Sequence, residues 1–118
     1  MPDSTILMDY VLHRLANLVE NLRIIPENMD RNLAMSYGLF YSQRVLLTLV
    51  ESGMARQEAY VMVQRCAMQS WETHRPFPDI VRADADISSR IDAATLDALF
   101  DPSYYLRHED TIFRRVFA

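Results

Sequence analysis

The sequence predicts an all-α fold, a helical domain preceded by one long bundle helix. Three observations predict it. Apolar residues recur at alternating spacings of three and four along several stretches, which places them on one face of a helix. The chain has only 2 glycines in 118 residues, too few for a fold built on tight β-turns. Nowhere does a run of residues alternate between apolar and polar as a half-buried strand does, and there is no internal repeat or low-complexity segment.

The elements follow in order. Asp3 or Ser4 is suited to cap a first helix running to about Arg23. Within it, Met8, Val11, Leu15, Leu18, Leu22 and Ile25 form a coiled-coil-like seam. Ile6, Leu7, Tyr10 and Leu12 widen the apolar surface beyond one side. At ~1.5 Å per residue this helix is about 30 Å long, which suits a bundle with partners better than a small isolated domain. A second helical stretch runs from Pro26 to Gly53. Pro26 fits a first turn, where its missing N–H costs nothing, and Gly53 fits a left-handed cap. Met29, Leu33, Tyr37 and Phe40 give it a core face that Leu39, Leu46 and Val50 extend, and Gly38 is the place where it kinks or splits. A third helix spans about Ala55 to His74 and ends before Pro76. Its stripe is Ala59, Met62, Val63, Cys66, Ala67, Ser70 and Trp71. Short elements follow: a turn or two over Phe77–Arg82, a helix over Ala93–Phe100 capped by Asp92, another from Asp101-Pro102 through Leu106, and an amphipathic helix over Glu109–Phe117 using Ile112, Phe113 and Val116.

Composition narrows the function. A hydrophobic fraction of 50% is ample for a core. The net charge of −4 speaks against a nucleic-acid scaffold. All 12 basic residues are arginine, which excludes lysine chemistry such as a Schiff base or a phosphate-loop lysine. The single cysteine, Cys66, has no internal disulfide partner, in keeping with a reducing cytoplasm. No apolar run approaches the ~20 residues of a membrane span, and the N-terminal residues lack the basic segment and apolar run of a signal peptide. His13, His74 and His108 lack the spacing of a zinc motif, and Cys66 is isolated from them, so no metal ligand is assigned. Asp84, Asp86 and Ser88 imitate the first ligands of a calcium loop. Ser89 stands where that loop needs glycine and Thr95 where it needs glutamate, so exposed helix capping is the expected role. Leu49, Gly53 and Ala59 imitate a helix-turn-helix, but the following helix is long, broadly apolar and poor in cations, which argues against DNA.

Several blocks carry a resemblance. They are Pro-Asp-Ser-Thr-Ile-Leu-x-Asp-Tyr from Pro2, Pro-Glu-Asn-Met-x-Arg-Asn-Leu from Pro26, Gly-Leu-x-Tyr-Ser-Gln-Arg-Val-Leu-Leu from Gly38, Gly-x-x-Arg-x-Glu-Ala-Tyr from Gly53 and Phe-Asp-Pro-x-Tyr-Tyr-Leu from Phe100. In order and spacing they resemble the C-terminal region of the adenylosuccinate lyase family, in the fumarase/aspartase superfamily. The match covers nearly the whole chain. The resemblance implies that residues 1–25 end the central long-helix bundle, that Arg23 to Pro26 is the joint, and that residues 26–118 form the helical C-terminal domain. Where this chain has Ala55 the family often has Ser or Thr, so the third helix lacks a capping hydroxyl although Glu58 keeps the capping-box position.

The family cleaves succinyl-AMP to AMP and fumarate, and the succinylated carboxamide ribotide likewise, by β-elimination with a serine base and a histidine acid. The resemblance places neither group in this chain. The family's catalytic loop, Ser-Ser-x-Met-Pro-x-Lys-x-Asn-Pro, is absent: Ser88-Ser89 stands alone and there is no lysine. The substrate-gripping Ser-Ser-x-Glu-Arg segment would fall just before Pro2, and Met1 reads as an added start codon. The expectations are therefore no catalytic, cofactor-binding or metal residue, no cofactor, a nucleotide substrate only in the intact enzyme, a homotetramer for that enzyme and self-association of this chain through helix 4–24. A related carboxymuconate cycloisomerase and a free-standing helical interaction module are the alternatives.

Overall fold

The computed structural model describes residues 2–117, and among them every regular element is helical. The α-helices are α1 (Pro2–Glu20), α2 (Pro26–Ala34), α3 (Ser42–Glu51), α4 (Arg56–Thr73), α5 (Phe77–Ala83), α6 (Ala85–Ser88), α7 (Ala93–Leu99) and α8 (Glu109–Phe117). Two 3₁₀ turns, Leu39–Tyr41 and Pro102–Leu106, complete the set. The chain divides into two compact units, Met1–Arg31 and Asn32–Ala118.

In the first unit α1 begins earlier and ends sooner than the sequence predicts. Pro2 occupies the first turn, which tolerates its missing N–H, so Asp3 and Ser4 lie inside the helix and do not cap it. Asp3 then serves the positive end of the helix dipole. At the other end the Asn21 side-chain amide donates to the Asn17 carbonyl at 2.8 Å, competing with the backbone ladder. Residues 22–25 are non-helical, as β-branched residues ahead of a proline favour. Leu22 and Ile25 thus fall off the predicted seam. Every described residue of α1 is exposed, including the seam residues Met8, Val11, Leu15 and Leu18.

The second unit holds the core. The predicted Pro26–Gly53 helix is split. Tyr37 (φ 52°) and Gly38 (φ 79°) are consecutive left-handed residues, which no α-helix accommodates. The Phe77 N–H donates to the Tyr37 carbonyl at 2.7 Å, tying this break to the start of α5. Gly38 is needed for a second reason: a Cβ there would stand 3.0 Å from Pro78 Cδ. The split also changes the buried face. Met29 is 61% exposed and Leu33 is exposed, while Tyr41, Val45 and Leu49, spaced by four, enter the core.

α3 ends as the sequence predicts. Gly53 has φ 95°, its N–H donates to Val50 O at 3.0 Å, and the Met54 N–H donates to Leu49 O at 3.2 Å. This is a Schellman motif, and its hydrophobic contact is the buried pair Leu49 and Met54. α4 packs on α3 through Ala59, Val63 and Cys66. Phe77, Ile80 and Val81 of α5, Ile87 of α6, Ile91, and Leu96 and Leu99 of α7 close the same cluster. Each large side chain buried there contributes roughly 1.5–3 kcal/mol. Trp71, predicted in the stripe, is 57% exposed. The inward slot belongs to the neighbouring Ser70, whose hydroxyl donates to the Arg75 carbonyl at 2.6 Å.

The short elements match their local signals. Asp92 caps α7 by accepting the Thr95 N–H at 2.9 Å, and Asp101 caps the Pro102–Leu106 turn by accepting the Ser103 N–H at 2.8 Å. Arg44 joins this end of the unit to α3. Its guanidinium donates to Leu99 O at 2.6 Å and Asp101 O at 3.3 Å and lies 3.8 Å over the Tyr104 ring. It therefore satisfies a carbonyl left free at the end of α7.

Candidate interaction surface

Of the polar side chains singled out in the sequence, Asp84, Cys66, Ser88 and Ser89 make structural hydrogen bonds. Asp84 is the N-cap of α6: its Oδ1 accepts the N–H groups of Asp86 at 3.1 Å and Ile87 at 3.2 Å. Its Oδ2 accepts from the Arg65 guanidinium at 2.6 Å and from the Cys66 thiol at 3.6 Å. The Asp84 carboxylate, 14% exposed, is thereby committed to four donors. It is also less exposed than the expected surface cap. Burial acts to raise its pKa, but the Arg65 hydrogen bond and charge, with the Ile87 amide, outweigh burial and hold it below the usual carboxylate range. Cys66 is 1% exposed, and burial first, then the Asp84 charge, pushes its thiol up to about 11. A thiol held protonated in this way is a poor nucleophile.

The histidines are dispersed. His13 lies on exposed α1, His74 ends α4 in a left-handed conformation (φ 55°), and the His108 carbonyl accepts the N–H groups of Thr111 and Ile112 in α8. Among the described residues no three His, Cys, Asp or Glu side chains are grouped to hold a metal. Ser88 and Ser89 donate back to carbonyls of α6 and its cap. Cys66 meets a carboxylate, that of Asp84, but the thiol there is buried and held protonated.

What the chain does present is apolar surface. α1 exposes Ile6, Leu7, Tyr10, Val11, Leu15 and Leu18 around more than one side. In the second unit the outer side of α4 exposes Tyr60, Val61, Met68 and Trp71, with Trp71 edge-on to Tyr37 at 6.3 Å between ring centroids. A shallow groove of about 450 Å³ runs along α3 and α4 past Gln43, Leu46, Arg56, Tyr60 and Gln64. α8 exposes Ile112, Phe113, Val116 and Phe117. Of these outer α4 residues, Tyr60, Val61 and Met68 are absent from the predicted stripe. Their signal is present in the sequence, since a helix apolar beyond one face has surface left over once the core is filled. Among the described residues no helix is long and apolar enough to cross a membrane.

Comparison with known proteins gives this surface a context. The family described as "Adenylosuccinate lyase C-terminus" matches residues 38–116. A protein of Streptococcus mutans named adenylosuccinate lyase is 46% identical over 115 residues, covering 98% of this chain. One of Bacillus subtilis with the same name is 46% identical over 116 residues, again covering 98% of this chain. The chain spans 27% of the length of each of these curated relatives. The blocks from Gly38 onward thus lie within the matched region, and the chain belongs to the adenylosuccinate lyase family, in its C-terminal region.

Proposed function

We propose that this chain is the C-terminal structural part of an adenylosuccinate lyase, the β-elimination enzyme that releases fumarate from succinyl-AMP and from the succinylated carboxamide ribotide. The observation that carries this reading is 46% identity across 98% of the chain to enzymes of that name. It favours this lyase over a carboxymuconate cycloisomerase and over a free-standing module. In this reading the serine base and histidine acid lie in other parts of the enzyme, and this chain contributes no catalytic residue, metal ligand or cofactor site. Its committed polar groups support that division: Asp84, Asp92 and Asp101 cap helices, and Cys66 is buried.

The role left to the chain is bracing. α1 belongs to the central helix bundle, where its exposed apolar sides meet long helices of the same and neighbouring subunits of a cytoplasmic homotetramer. Residues 26–118 form the domain attached to that bundle. The experiment is a segment exchange: the matching C-terminal region of the Bacillus subtilis enzyme is replaced by this chain. The hybrid should assemble and release fumarate from succinyl-AMP at a rate within about tenfold of the parent, a change of about 1.4 kcal/mol in the barrier. A hybrid that folds and assembles but has no activity would overturn the reading.

A further inference from the structure

We draw no further inference here: the strongest candidate, the exposed apolar face of the C-terminal helix α8 formed by Ile112, Phe113, Val116 and Phe117, carries nothing, because its acidic first turn and basic last turn suit the dipole of any helix and nothing in the structure shows what covers it.

Discussion

Asp84 accepts from Arg65 and Cys66 on α4 and from the Asp86 and Ile87 amides that open α6, so one carboxylate links two helices. Its folded-state pKa lies below the value of about 3.9 expected for an unfolded aspartate. The unfolded chain therefore binds the proton more tightly. The stabilisation is complete above that unfolded value and is lost as pH falls through the folded-state pKa. Asp84→Asn keeps a capping oxygen but removes the charge. It should lower stability at neutral pH by about 1 kcal/mol, since Arg65 is half-exposed and screened. It should also flatten the fall in stability below about pH 4. Denaturant titrations of both forms from acid to neutral pH check this, and identical pH profiles would remove Asp84 from the account. Ala55 is the opposite case, a cap position without a cap. Its extended backbone (φ −61°, ψ 132°) has the N-cap conformation, but no side chain accepts there. Ala55→Ser should stabilise the second unit by about 1 kcal/mol. An unchanged denaturation midpoint would show that a hydroxyl at this position gains no amide partner.

At the scale of elements, α1 runs for 19 residues and buries none of them, as the shorter α2 and α8 also bury none. An aliphatic side chain left in water forgoes roughly 1.5–3 kcal/mol of burial, and several together exceed the ~4–15 kcal/mol entropic cost of association. The chain should therefore self-associate through α1. Leu15→Glu with Leu18→Glu should convert the assembly to monomer, read by light scattering coupled to size exclusion. A folded monomer of the unaltered chain at micromolar concentration would contradict the argument. The elements also show what was legible in the sequence. Gly53, Asp92 and Asp101 were readable because each cap is decided within five residues. Gly38 was readable as the place where the helix kinks or splits; that Tyr37 joins the break was not, because the stabilising donor is the distant Phe77 amide. Ser70 and Trp71 are adjacent on the predicted stripe, and only one of the two can point fully inward. The structure gives the slot to Ser70, whose hydroxyl has a carbonyl waiting just beyond the helix. The apolar surplus of α1 was legible, but its end was not, because Asn21 and the Pro26 approach stop the helix before Leu22.

For the whole molecule, composition and geometry point the same way. The chain has no lysine, its one thiol is buried, and Asp84, Asp92 and Asp101 are engaged as caps. The candidate site was legible in the sequence mainly as resemblance, because an interaction surface consists of ordinary apolar residues that differ from core only in what they pack against. In the proposed division of labour this chain supplies scaffold and the rest of the enzyme supplies chemistry. The most direct test is a single-turnover assay in which the purified chain, in excess, is mixed with succinyl-AMP and fumarate release is followed. The account predicts release no faster than in buffer. Fumarate release above that background from clean protein would contradict it.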